Sequence, residues 1–270
     1  WNLDRWDACA LCGGMPSRPF VARLWRIRLE RHRLRSLLRG ATLLLGAVGA
    51  NACRPVSTVP TGTQVPSSFD VTRPVSSRGQ FLLYLPPDYN RERRWPLLVF
   101  LHGAGERGTD LVGPAVHGPP RLLREGKALP FVVVSPQVSG WNIWTTEWLD
   151  ALIDDVTAKY HVDPDRIYLA GLSMGGYGAW QYAMEHPEKL AALVPVSAGA
   201  VPSGACALTH LPIWVFHGAK DDIVPLDRAK QLVDRIAGCK GTRVTFTIYP
   251  NAGHDAWTET FANPALYEWL

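Results

Sequence analysis

The sequence has no apolar run long enough to cross a membrane comfortably. Ala41 to Ala50 falls well short of the roughly 20 residues that a spanning helix needs. It has little bulk charge of either sign outside its start. The formal net charge is +4 over 270 residues, but residues 1–52 hold nine Arg and no Lys against Asp4, Asp7 and Glu30. Setting those nine of 28 basic and three of 24 acidic side chains aside leaves 19 and 21, a net of about −2. A near-neutral body offers no polyphosphate-binding surface, so nucleic acid is excluded as a partner by bulk charge. Cysteine is scarce, with Cys9, Cys12, Cys53, Cys206 and Cys239 making five. Cys9 and Cys12 form a CxxC with no second pair, so neither a zinc site nor a redox motif is read there. Internal repeats are absent. What remains, 47% apolar and 19% charged, is globular composition with room for one large domain or two small ones.

The first 52 residues read as a leader. Arg18 to Arg39 is Arg-rich with a single acid, Glu30; the apolar run Ala41–Ala50 follows, then Ala50-Asn51-Ala52. A positive segment, a short apolar segment and an A-x-A end are the parts of a secretory signal, so a secreted or periplasmic protein is expected. Cys53, directly after Ala52, also allows a lipid anchor to the cell envelope, although Ala50 and Asn51 make a poor lipobox. The alternative is an amphipathic Arg-rich helix in a cytosolic protein. The chain opens on Trp1 and its first Met is Met15, so residues 1–14 are read as upstream read-through or the mark of a fragment. The apolar ending, Ala265 to Leu270, is read as lacking a few residues. With the leader removed, Cys206 and Cys239 are the only pair left in the body, and a disulfide between them is expected; two buried thiols are the alternative. Residues 53–78, with Pro55 to Ser68 rich in Pro, Ser, Thr and Val, read as an extended linker.

From Gly79 to Leu270 strands and helices alternate. Strands are expected at 80–85, 95–101, 130–135, 166–171, 190–197, 211–217 and 243–249. Several are apolar on both faces, as buried parallel strands are. Helices are expected at 146–161, 175–186 and 226–237, with a last one from Ala256. This pattern predicts an α/β domain with a mostly parallel central sheet covered by helices on both faces.

Three motifs fall on strand-end loops in a telling order. Gly171-Leu172-Ser173-Met174-Gly175-Gly176 follows a strand and opens a helix, which is the context of a nucleophile elbow. Small neighbours let the chain turn sharply under Ser173, and the helix N-terminus favours developing negative charge. His102-Gly103-Ala104-Gly105-Glu106-Arg107-Gly108 follows a buried strand and suits an oxyanion loop. Its donors would be the N–H of Gly103 or Ala104, with Gly103 slightly favoured, together with the N–H of Met174. His102 itself reads as a brace for that loop. Glu106 and Arg107 either pair locally or stand solvated. A serine hydroxyl needs an imidazole base, and the base needs a carboxylate. His254 and Asp221 supply both in the chain order Ser173, Asp221, His254.

On these residues the sequence resembles carboxylesterases of the α/β-hydrolase fold, in the phospholipase/carboxylesterase and dienelactone-hydrolase-like group. That group includes exported bacterial esterases, predicted peptidases, and relatives of polyhydroxybutyrate depolymerase and feruloyl esterases. The likeness covers residues 79–270 and rests on the loop at 102–108, Asp163-Pro164-Asp165-Arg166, the elbow at 171–175, His217-Gly218 with Asp221 and Val224-Pro225, and Gly253-His254. It implies that the acid is Asp221, four residues after His217, and not Asp222. Dienelactone hydrolases proper use a Cys nucleophile, and Ser173 departs from that. The resemblance implies a serine esterase that needs neither metal nor organic cofactor.

Trp141, Trp144 and Trp148 cluster after one strand, and Trp257 follows His254 by three. Trp141, Trp144 and Trp257 are candidates to line an acyl or aryl pocket, with core packing as the alternative. The interval between Ser173 and Asp221 is spent on a helix and two strands, leaving no room for a large cap. An open site suits small or polymer-borne esters. Two rivals share the scaffold: a serine peptidase, and a catalytically inactive surface-binding module.

Overall fold

The computed structural model of the protein describes residues 59–71 and 77–270. It opens with two strands, β1 (Gln64–Val71) and β2 (Ser77–Tyr84), and then β3 (Trp95–Leu101). Helix α1 (Gly118–Arg124) precedes β4 (Val132–Gln137), and α2 (Thr146–Lys159) precedes β5 (Val162–Leu172). Then come α3 (Met174–Glu185), β6 (Ala192–Val196), β7 (Ile213–Gly218), α4 (Leu226–Gly238) and β8 (Val244–Tyr249). Two short helices, α5 (Trp257–Ala262) and α6 (Pro264–Trp269), follow.

The eight strands form one sheet in the order β1-β2-β4-β3-β5-β6-β7-β8. β1, β2 and β4 pair antiparallel, and every pairing from β4 to β8 is parallel. Parallel neighbours need crossovers, and the helices supply them on both faces. Strand alternation sends Leu97, Val99 and Leu101 into one core with Leu149, Leu152 and Leu232 from α2 and α4. Leu98 and Phe100 go to the other core with Leu123 of α1, Phe261 of α5 and Leu266 of α6. This is the expected fold class, with the buried strands reading apolar on both sides. Among the described residues no helix is long and apolar enough to cross a membrane.

Three elements differ from the sequence reading. The expected linker over 53–78 contains β1. Phe69 and Val71 of that strand are buried, and the Phe69 ring stands edge-on to Trp148 of α2 at 4.8 Å. Phe69 also covers Gly79, its partner across the β1–β2 ladder, where a Cβ would collide with the ring. Pro66 and the serines mask the strand in composition, but β1 is an edge strand, and an edge tolerates proline. Helix α1 was not among the expected elements; its Pro119 and Pro120 fall in the first turn of the helix, where no N–H is required. The last helix is broken in two at Asn263-Pro264, where the Asn263 side chain accepts the Ala265 N–H at 3.0 Å. Residues 1–58, including the leader, Cys9, Cys12 and Cys53, lie outside the described residues.

Candidate active site

The C-terminal ends of β3, β5, β7 and β8 open on one side of the sheet, and the motif residues stand there. β5 runs into Ser173, which takes φ +48° and ψ −117° before α3 begins. That is the left-handed region, costly for a side-chain-bearing residue and held only because its surroundings over-determine it. The Ser173 N–H donates to the Val196 carbonyl at 2.9 Å, and its carbonyl accepts the Tyr177 N–H at 3.0 Å. Gly175 lies so close to β3 that a Cβ there would meet the Leu101 carbonyl and stand 2.7 Å from the His102 oxygen. The glycine is therefore required by close approach of two backbones.

Ser173 Oγ lies 2.9 Å from His254 Nε2. His254 Nδ1 lies 3.0 and 2.9 Å from the two oxygens of Asp221. A carboxylate only accepts, so Nδ1 carries the proton and the lone pair of Nε2 faces the serine hydroxyl. Asp221 is buried and fully engaged. Its Oδ1 also accepts the Ile223 and Val224 N–H groups at 3.0 and 2.8 Å, and its Oδ2 lies 3.2 Å from His217 Nε2. Asp222 is exposed and makes no such contact. The three motif residues, 81 and 33 positions apart along the chain, thus form one hydrogen-bonded series.

Residues 144–265 match the Phospholipase/Carboxylesterase family. The chain is 29% identical over 184 residues to the bifunctional acetylxylan esterase/xylanase of Neocallimastix patriciarum, covering 64% of this chain but only 26% of that protein. It is 24% identical over 190 residues to the probable feruloyl esterase C of Aspergillus niger, covering 67% of this chain and 69% of that one. Among solved structures, a thermostable esterase superposes with a TM-score of 0.67 at 30% identity, over 76% of this chain and 61% of that one. The chain has the α/β-hydrolase fold and is similar to carboxylesterases of that fold.

The loop at 102–108, expected to supply oxyanion donors, follows β3. His102 is almost wholly buried; its Nδ1 donates to the Gly103 carbonyl at 2.6 Å, and its Nε2 accepts the Val138 N–H at 3.2 Å. Burial pushes the ring's pKa down to about 4, against the opposing pull of the Gly103 carbonyl, with nearby Arg107 adding to the fall. His102 is therefore a neutral brace. Because the Gly103 carbonyl turns back to His102, the Ala104 N–H across the same trans peptide points the other way. Ala104 and Met174 both line the cleft that holds Ser173. Glu106 and Arg107 do not pair with each other. Glu106 faces His117 at 3.7 Å, while Arg107 Nε donates to the Asn142 carbonyl at 2.9 Å.

The three candidate pocket tryptophans part company. Trp144 is buried beside the cleft, and its indole N–H donates to the His102 carbonyl at 3.1 Å, so it holds the loop after β3 as well as forming a wall. Trp141 is 94% exposed and lies outside the cleft. The turn at Gly140, with φ +59°, throws it outward. Trp257 stands edge-on to His254 at 5.1 Å but faces a second cavity, of about 610 Å³, between α1 and α5. Cys206 and Cys239 are bonded, with Cα atoms 5.4 Å apart, joining the segment after β6 to the end of α4.

Two residues that steady the site escaped the sequence reading. Ser197, buried and at φ +49° directly after β6, donates its hydroxyl to the His254 carbonyl at 2.7 Å. Its only signal is position, a small residue at the end of the strand next to the elbow. His217 was noted as part of a motif and given no role. Its Nε2 donates to the Val224 carbonyl at 2.8 Å, and the same proton faces Asp221.

Proposed function

We propose that the hydrolase cleaves carboxylic esters through an acyl-enzyme on Ser173. The observation that carries this reading is the series Ser173–His254–Asp221 at hydrogen-bond distances on a strained strand-to-helix turn. Ser173 Oγ attacks the ester carbonyl as its proton passes to His254 Nε2. Asp221 holds the tautomer and stabilises the imidazolium. The Ala104 and Met174 N–H groups receive the oxyanion. The orientation of the 103–104 peptide favours Ala104 over Gly103 as the loop donor; Gly103 serves as the tight point of the turn, where a Cβ would press on Leu172 at 2.7 Å. Collapse returns the proton to the leaving alcohol, and water then repeats the sequence on the acyl-enzyme.

The relatives named as acetylxylan and feruloyl esterases support short-chain or aryl acyl groups carried on a polymer. The cleft, about 960 Å³ and open, supports the same size range. The Cys206–Cys239 bond and the leader-like residues 18–52 support export, with release after Ala52 or attachment through Cys53. The test is hydrolysis by the full chain of p-nitrophenyl acetate, butyrate and decanoate, methyl ferulate and a peptide anilide, with Ser173→Ala as control. Ester turnover that the variant abolishes supports the reading. Turnover of the anilide alone would make the protein a peptidase, and a folded protein without Ser173-dependent turnover would favour a binding module.

A further inference from the structure

The cleft beside Ser173 is one-sided in charge. Its walls are largely apolar, with Trp144, Tyr177, Val201 and Ile223 among them, and the only side chains on it that are charged at neutral pH are Arg107 and Arg228. Among the described residues neither arginine takes part in an ion pair. Of the neighbouring acids, Asp221 is turned toward His254, Asp227 toward Lys230 at 3.6 Å, and Asp222 is exposed off the cleft walls; Glu106 does not line the cleft, but while one of its oxygens faces His117 the other is buried against Gly103 without a hydrogen-bond partner. Arg107 is anchored, and Arg228 is exposed at the cleft's rim. The Asn142 carbonyl holds Arg107 by its Nε, leaving the terminal nitrogens to donate. Arg228, in the first turn of α4, passes its stem over Gly199, where a Cβ would fall 2.7 Å from its own.

We propose that Arg107 and Arg228 make this cleft selective for esters that carry a carboxylate. The proposal rests on the reading of Ser173 as an ester-cleaving nucleophile. Two guanidinium groups without a counter-ion raise the local potential of the cleft. A guanidinium fork matches a carboxylate in shape and offers paired donors, while the walls receive the carbon skeleton. The carboxylate belongs either to the acyl part, as in the half-ester of a dicarboxylic acid, or to the alcohol part, as in an acylated uronic acid.

The test compares kcat/KM of the full chain on two matched pairs. One pair is mono-p-nitrophenyl glutarate against p-nitrophenyl pentanoate; the other is an acetylated methyl glucuronoside against the acetylated methyl glucoside. Two partly exposed pairings predict about a tenfold preference for the charged member of at least one pair at low salt. The pair that shows it tells which part of the substrate carries the charge. The preference shrinks in about 0.5 M NaCl and falls roughly threefold in Arg107→Gln or Arg228→Gln. Because the readout is a ratio within each protein, a general loss of activity in a variant cancels. A wild-type ratio of one or less in both pairs overturns the proposal, as does a preference that both variants and salt leave unchanged. If neutral esters turn over in a Ser173-dependent way with no charge preference, only this proposal falls. If no ester turns over, the hydrolytic reading falls and takes it along.

Discussion

Acidification attacks this protein through His102. The buried ring uses both nitrogens, donating from Nδ1 to the Gly103 carbonyl and accepting at Nε2 from the Val138 N–H. A protonated ring has no lone pair to accept with, and it places a charge where no water reaches. Burial, with nearby Arg107 adding to it against the pull of the Gly103 carbonyl, holds the native pKa at about 4, against an ordinary 6.5. Between those two values the unfolded chain binds a proton that the native state refuses, so stability rises with pH across the window and is lost as pH falls through it. The linkage integral gives a loss of about 2 kcal/mol from roughly pH 7 to pH 5, and about 3 kcal/mol by pH 4. For a domain of this size the first step lowers Tm by about 4–8 °C. Carboxylates contribute slopes of their own, so the assay is a difference: urea unfolding of the parent and of His102→Gln at both pH values. The variant is less stable at neutral pH but lacks the His102 part of the slope. If parent and variant lose the same stability on acidification, His102 is not the proton-refusing group and the neutral-brace argument fails.

The remaining predictions concern the site and its supports. Asp221→Asn keeps the shape but removes the acceptor that fixes the His254 tautomer, so kcat falls about 10⁴-fold with the fold intact by circular dichroism; a loss under tenfold would mean the carboxylate is idle. The Cys206–Cys239 bond closes a separation of 33 residues, for which chain entropy predicts a loss of about 3–4 kcal/mol in the double Cys→Ser variant, read by chemical denaturation. A loss below about 1 kcal/mol would show that the reduced chain holds that loop by other means. Gly175→Ala drives a methyl into the carbonyls at the end of β3 and yields little soluble protein, whereas Gly105→Ala, with open space around the new Cβ, stays within about 0.5 kcal/mol of the parent. Thermal shift of the two variants side by side decides it.

What the sequence revealed followed from whether a feature is local. The elbow was legible because its demands on the backbone are met within six residues; chain order pointed to an acid before His254, and the family resemblance to Asp221 rather than Asp222. β3 through β7 were legible because double burial leaves apolar runs, and β8 because its polar and apolar residues alternate. β1 was hidden because its reason to be a strand lies elsewhere, in Gly79 across the ladder and Trp148 on α2. The tryptophans misled for a related reason: residue type marks a large apolar ring, but the turn at Gly140 decides that Trp141 faces solvent while Trp144 is buried three residues on. Ser197 left no trace in sequence, since its role depends on which carbonyl happens to lie 57 residues later beside its hydroxyl. The choice between Gly103 and Ala104 depends on the rotation of one peptide plane, which composition does not encode.

Ser173 and His254 are carried by strands of unequal security. β5 lies inside the sheet between β3 and β6, whereas β8 is the last strand, paired only with β7 and half-exposed along its length. His254 hangs on the loop that β8 delivers. An outermost strand peels away at lower free energy than the interior of a sheet. The proposed mechanism therefore predicts two thresholds of failure: on warming, activity is lost when this edge loosens while the central strands still hold Ser173 in its turn, and on cooling it returns without the chain having had to refold.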